Sequence, residues 1–203
     1  MPVLSLILAL ALADGPEVDD VDVARRIREG DRAAFKTFFD RYHGLLYGYL
    51  RRRGTEPAVC EDLTQQAFVK IWERRREIQP GKSLRAYLFR IGYNGMLNHI
   101  RDTAKFADAS DLAERPATAD PGRDTEYAIM HEHLVRTVRQ LPERRRAVFE
   151  LCFLQDLTYR EAAEALDISV KTVENQMSAA LKVLRSAFEH FKDSDRGAHP
   201  PDV

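Results

Sequence analysis

The sequence predicts an all-α protein, two small helical domains joined by a flexible acidic linker. Three observations predict it. Apolar residues recur at spacings of three and four through both halves of the chain. No stretch shows the apolar–polar alternation of a half-buried strand. Between the halves, residues 103–125 lose all apolar period and fill with Ala, Asp, Pro, Gly and Arg, the composition of an extended, solvated tether. The length of 203 residues suits one or two domains and a core that needs no staples.

Taken in order, residues 1–29 form a partly disordered extension. Residues 3–12 (VLSLILALAL) are apolar, and Ala11-Leu12-Ala13 resembles a signal-peptidase site, but no Lys or Arg precedes the run as in a secretory signal. The run also falls short of the ~18 apolar residues of a membrane span. Residues 18–31 are acidic and then helical. Gly30-Asp31 opens a long helix whose core face is Ala34, Phe35, Phe38, Phe39, Tyr42, Leu45, Leu46, Tyr49 and Leu50. Arg51-Arg52-Arg53-Gly54 closes it, the cations suiting the C-terminal dipole and the glycine supplying the stop. A second helix covers residues 58–78, and a third covers 83–101 with Ser83 as N-cap. Helices resume near Glu126, and a second compact block ends near Phe191. Residues 192–203 form a polar, Pro-rich, disordered tail.

Charge divides by region. The chain carries 31 Lys and Arg against 32 Asp and Glu, a net charge of -1 that taken whole argues against nucleic acid. Residues 30–102 alone hold fourteen basic and eight acidic residues, about +6, enough to steer toward phosphates. Acidic ends and the linker offset them, and the second block is nearly neutral. Cys60 and Cys152 lie in no CxxC pair and read as structural thiols of a reduced, cytoplasmic protein.

The most specific local signal is TYREAAEALDISVKTVENQMSAALKVLRSAF, residues 158–188. Thr158 and Glu161 make a capping box. Ala162, Ala163 and Leu166 give the short helix a closely packing face. Asp167-Ile168-Ser169 breaks it, and Ser169 caps a second helix with apolar face Val170, Val173, Met177, Leu181, Leu184 and Phe188. Helix, tight turn and helix make a helix-turn-helix. The polar face of the second helix carries Lys171, Thr172, Glu174, Asn175, Ser178 and Lys182, side chains suited to base edges and phosphates in a major groove.

In the first block, Asp62, Gln65, Gln66 and Val69 lie on the side of their helix opposite Leu63, Ala67, Phe68 and Ile71, a mixed surface for docking a partner. The next helix has Leu84, Tyr87, Leu88, Ile91 and Leu97 as core and Arg90, Tyr93, Asn94, Asn98 and Arg101 on its other face. Basic groups among aromatics and amides suit single-stranded DNA. The loop from Gln79 through Lys82 to Ser83 has room for an extruded base.

With these motifs in hand, the chain resembles a bacterial RNA polymerase sigma factor of the extracytoplasmic-function (ECF) type in the sigma-70 family, over residues 30–102 and 126–190. DLTQQAFVKIW looks like that family's polymerase-binding helix, AYLFRIGYNGMLNHIR like its minus-ten helix, and the segment 141–185 like its minus-thirty-five domain. The resemblance implies sigma domain 2 at residues 30–102, a linker at 103–125 and sigma domain 4 at 126–191. It implies core-polymerase binding by Asp62, Gln65, Gln66, Phe68, Val69 and Trp72. Minus-ten DNA would fall to Gln79, Lys82, Arg90, Tyr93, Asn94, Asn98 and Arg101, and minus-thirty-five DNA to Ser169, Lys171, Thr172, Glu174, Asn175, Ser178 and Lys182. The implied partners are core RNA polymerase, promoter DNA and an anti-sigma factor, with no small-molecule substrate. Asp167 departs from the family's turn glycine, Asn98 from a common acid, and Ala179 and Val183 from common bases.

The rival reading is a response-regulator-like helix-turn-helix transcription factor. It requires an α/β receiver domain and leaves DLTQQAFVKIW unexplained. Catalytic residues, a metal and a cofactor are not expected. His131 and His133, two apart on a helix, point to different faces with no third ligand at useful spacing.

Overall fold

A computed structural model describes residues 18–79, 81–106 and 125–196, and among them only helices and turns occur. Helix α1 (Val18–Glu29) buries Val23, Ala24 and Ile27. It stops at Gly30, whose φ of +93° a side chain would strain, and Asp31 then caps α2 (Arg32–Arg52). One Asp31 carboxylate oxygen accepts from the Ala33 and Ala34 amides at 2.8 and 3.1 Å, and the other accepts from Arg26. The Ala34 amide and Arg26 together hold the Asp31 carboxyl below its usual range.

Phe38, Tyr42, Leu46, Tyr49 and Leu50 form the buried stripe of α2. Leu45, expected on it, is 43% exposed, because one residue short of Leu46 is ~100° round the helix. Helix α3 (Pro57–Glu73) starts on a proline, which needs no amide partner there, and buries Cys60, Thr64, Ala67, Phe68 and Ile71. It stops short of the expected residue 78, giving way to a 3-10 turn over Arg75–Glu77. Helix α4 (Leu84–Phe106) is capped by Ser83, whose hydroxyl accepts from the Ala86 amide at 3.1 Å. It crosses α2 at Gly92, where a Cβ would come within 2.6 Å of buried Leu46. Phe89 meets Tyr49 edge-on at 5.7 Å. Helix α4 runs past the expected start of the linker. The remaining linker residues 107–124, the extension 1–17 and tail residues 197–203 lie outside the described residues.

The second block comprises α5 (Thr125–Gln140), α6 (Glu143–Leu154), α7 (Tyr159–Leu166) and α8 (Val170–Arg196). Helix α8 continues beyond residue 191, so residues 192–196, expected to be disordered tail, are helical. Val148, Leu151, Ala162, Val173 and Ala180 are fully enclosed where α6, α7 and α8 meet. Val170, assigned to that core, is 41% exposed, since it opens α8 and its side chain leans N-terminally, off the packed turns. Each aliphatic or aromatic side chain enclosed in this way stabilises the fold by about 1.5–3 kcal/mol.

The two blocks do not stand apart. Helix α7 packs against α4 along one continuous core. Among the described residues, no helix is long and apolar enough to cross a membrane.

Candidate nucleic-acid interface

The first surface lies on α3 and α4. Asp62, Gln65, Gln66 and Val69 form a shallow concave face with Lys70, Glu73 and Arg74, and Gln66 donates to Asp62 at 2.7 Å. Val69 is 53% exposed, an apolar spot ringed by polar groups. Two docking residues fall elsewhere. Phe68 is only 2% exposed, wedged among Phe35, Phe38 and Phe39 with ring centroids 4.8–6.3 Å away. Trp72 is half-buried between Phe35 at 5.0 Å and the Arg75 guanidinium at 4.6 Å. Phe68 therefore anchors α3 to α2 and orients the exposed face without forming part of it. Its helical period already puts it on the core face with Leu63, Ala67 and Ile71, and only the family resemblance makes it a contact residue.

Around the edge of α3, a groove runs between α3 and α4. Gln66, Lys70 and Arg74 make one wall, and Arg90, Asn94 and Asn98 the other, over a floor of Leu63, Ile91 and Gly95. Gly95 permits the close approach, since a Cβ there would sit 3.1 Å from Leu63. No carboxylate is among the described residues that line the groove; at its rim Arg74 pairs with Glu77 at 3.8 Å and Arg90 with Asp167 at 3.3 Å. Arg90, Asn94 and Asn98 thus come together as the sequence predicts. Arg101 extends the same face and donates to Asn98 at 3.0 Å. Lys70 and Arg74 were missed, because only the α3–α4 crossing brings them opposite Arg90.

Tyr93 does not reach this face in the structure. It is 7% exposed, and its ring lies 5.7 Å from the buried Arg53 guanidinium. Helical drift carries it from the Arg90–Asn94 side to the block interface. Gln79 and Lys82 are exposed on a turn closed by the Lys82 amide donating to the Gln79 carbonyl at 3.2 Å, with Gly81 at φ +88°. Pro80 of that loop lies outside the described residues.

The second surface is the helix-turn-helix. Thr158 and Glu161 make the expected capping box at the start of α7. Asp167 turns the chain in the left-handed region, φ 56° and ψ 47°, the role a glycine fills at less cost. The Ile168 amide donates to the Ala163 carbonyl at 3.0 Å, and the Ser169 hydroxyl accepts from the Thr172 amide at 3.0 Å to cap α8. Ser169, Lys171, Asn175, Ser178 and Lys182 are exposed along one side of α8, with Thr172 and Glu174 half-buried beside them. Lys171 pairs with Glu174 at 3.0 Å. Arg145 of α6 donates to Gln176 at 3.3 Å and fixes the rotation of α8. His133 lies against the Ala187 carbonyl at 3.2 Å and the Phe188 ring, a packing environment; the His131 side chain is outside the described residues.

Between these surfaces sits a polar seam that sequence reasoning missed. Glu161, 3% exposed, accepts from Ser83 at 2.7 Å and from Arg85 at 2.6 Å across the block boundary. Burial pushes its carboxyl up, but Arg85, Ser83 and the Thr158 amide outweigh that and hold it below its usual range. Arg53, its side chain fully enclosed, pairs with Glu150 at 3.1 Å and with Glu143. Arg90 reaches Asp167 at 3.3 Å. The only sequence signal was Glu161 itself, fully accounted for as a local cap.

The Sigma-70 region 2 family model matches residues 38–106, and the Sigma-70, region 4 model matches residues 131–184. The RNA polymerase sigma factor NccH of Alcaligenes xylosoxydans xylosoxydans is 30% identical over 171 residues, covering 81% of this chain and 91% of its own. The ECF RNA polymerase sigma factor RpoE of Cereibacter sphaeroides is 28% identical over 171 residues, covering 82% and 93%. Among solved structures, CnrH in complex with the cytosolic domain of CnrY aligns at TM-score 0.61 and 26% identity, covering 85% of this chain and 98% of CnrH. The sigma factor RpoE of Bartonella quintana, solved with the anti-sigma factor NepR, aligns at TM-score 0.59 and 19% identity, covering 76% and 96%, a likeness of fold.

Proposed function

The chain belongs to the sigma-70 family as an ECF RNA polymerase sigma factor, and from that premise we propose how its surfaces divide the work. It binds core RNA polymerase and directs promoter-specific initiation of transcription. Sigma factors in general are DNA-recognition subunits without a catalytic reaction of their own.

In this reading the block spanning α1–α4 is sigma domain 2, and the block spanning α5–α8 is sigma domain 4. Core polymerase docks on Asp62, Gln65, Gln66 and Val69. The basic groove of Lys70, Arg74, Arg90, Asn94 and Asn98 holds the opened minus-ten strand, cations taking phosphates and amides reading unstacked bases. Arg101, Gln79 and Lys82 continue that path. Helix α8 enters the minus-thirty-five major groove, with Asn175 suited to adenine, Glu174 to cytosine, and Lys171 and Lys182 to phosphates. An anti-sigma factor is the further partner; that the similar CnrH was solved with another protein bound, the cytosolic domain of CnrY, fits a protein partner of this kind.

The observation that carries the assignment is the pairing, in one chain, of an exposed docking face on α3 with an acid-free basic groove on the next helix. Co-elution tests it. The purified chain is expected to co-elute with core polymerase, and Gln65→Ala with Val69→Ala to abolish co-elution while leaving thermal unfolding unchanged. Undiminished co-elution of that variant refutes the docking face. The response-regulator reading finds no support, since the described residues hold no strand from which a receiver sheet is built.

A further inference from the structure

We propose that the α3–α4 groove reads a base carrying a keto oxygen beside a ring N–H, guanine or thymine, with Asn98 as the specifying residue and Arg101 as the residue that positions it. The inference rests on the sigma-factor reading and names the class of base that its minus-ten surface selects.

Charged neighbours fix the orientation of two amides on opposite walls of the groove. On the α4 wall, the Arg101 guanidinium donates to Asn98 Oδ1 at 3.0 Å. A guanidinium has no acceptor, so it meets the carbonyl end of the amide and leaves Nδ2 as a donor. On the α3 wall, Gln66 donates from Nε2 to Asp62 at 2.7 Å. An ionised carboxylate only accepts, so the Gln66 carbonyl oxygen is left as an acceptor. Among the described residues, neither Asn98 Nδ2 nor the Gln66 carbonyl oxygen takes a partner.

One wall therefore offers a donor and the other an acceptor. Guanine and thymine match that pair, since each presents a keto oxygen next to a ring N–H on its Watson–Crick edge. Adenine and cytosine present the reverse, an amino donor next to a ring-nitrogen acceptor. In a duplex that edge is already paired, so only an unpaired strand is read this way.

The groove has the room and the lining for such a base. Its volume is about 410 Å³, inside the roughly 300–1,000 Å³ of ligand-holding clefts. Leu63, Ile91 and Gly95 give an apolar floor, and Tyr87 adds a ring, surfaces on which the face of a base packs. Gly95 lies three residues before Asn98 and leaves the floor open beside the amide. Arg101 keeps further N–H groups for a phosphate.

Asn98→Asp keeps the size of the side chain and the bond from Arg101 but replaces the donor by an acceptor. Arg101→Ala releases the amide to rotate, and Arg101→Lys retains a donor for Oδ1. Holoenzyme assembled from core polymerase and each chain selects from a single-stranded DNA library randomised across the minus-ten element. At one position, wild-type holoenzyme is expected to enrich G or T at least about fivefold over A and C. Asn98→Asp is expected to invert that preference at the same position, whatever it does to overall affinity. Arg101→Ala is expected to level the preference and Arg101→Lys to restore it. A role in packing or charge alone moves affinity for all sequences alike and leaves these ratios in place.

Far-ultraviolet circular dichroism checks that helicity is retained; should Asn98→Asp lose it, the two Arg101 variants decide. A wild-type consensus that no folded variant alters at any position, or an altered position where wild type favours A or C, overturns the base assignment alone. Inversion by Asn98→Asp with Arg101→Ala unchanged from wild type overturns the positioning role of Arg101. A wild-type holoenzyme that enriches no sequence beyond what core polymerase enriches by itself overturns the sigma-factor reading and the base assignment together.

Discussion

Arg53→Met tests the buried polar seam from the side opposite the cap. The Arg53 side chain is fully enclosed, and Glu150, 5% exposed at its side chain, sits 3.1 Å from it. Removing the guanidinium leaves Glu150 buried without its ion-pair partner, with Arg52 and Arg146 acting on it only at longer range, a change that costs about 3–5 kcal/mol. The guanidinium also lies 5.8 Å from the Tyr49 ring and 5.7 Å from Tyr93; methionine retains part of that contact through its sulfur. Glu143 is 45% exposed at its side chain and remains hydrated when its partner goes, so it adds little. For a chain of this size each kcal/mol moves the melting temperature by about 2–4 °C, so a loss of about 6–20 °C is expected. Arg53→Met with Glu150→Leu replaces both charges by apolar groups and is expected to recover to within ~1 kcal/mol of wild type. Thermal melting of the three proteins by circular dichroism decides it. A loss below ~1 kcal/mol for Arg53→Met, or a double variant no better than the single one, refutes the reasoning.

Further expectations follow from the same geometry. Asn175→Ala is expected to cost about 1–3 kcal/mol of base discrimination in the minus-thirty-five element with core affinity unchanged, read by competition between matched and mismatched promoters. Phe68→Ala is expected to destabilise the fold by about 3–5 kcal/mol, whereas Val69→Ala stays within about 0.5 kcal/mol; chemical denaturation separates anchor from docking residue. The Cys152 thiol is pushed up to about 12 by burial, from an ordinary value of 9.0. Because the folded value is raised, its contribution to stability is intact below pH 9 and is lost as pH rises from 9 towards 12. Cys152→Val is expected to flatten that alkaline fall in urea titrations; an identical pH profile argues against the buried thiol as its source.

Local features were legible because single residues determine them. Ser83, Thr158 and Ser169 cap helices by their own hydroxyls, and Gly30 and Gly54 end them by positive φ. Asn94 and Asn98 share a face because they are four apart. What the sequence hid depends on crossings between helices. The family resemblance makes Phe68 a contact residue although its period puts it on the core face, where α2 covers it, and Tyr93 looks like a contact residue until the Arg53 seam covers it. Lys70 and Arg74 join Arg90 only across Gly95. Glu161 and Glu150 look like a local cap and a solvated acid, yet each meets an arginine at a separation of 76 or 97 residues, which no periodicity encodes.

Run-off transcription with purified core polymerase on a pooled promoter library tests the central claim most directly. Core polymerase with this chain is expected to give discrete transcripts sharing minus-ten and minus-thirty-five elements, while core alone gives none. Transcripts that appear only when another sigma factor is supplied, with this chain merely altering their yield, contradict the account.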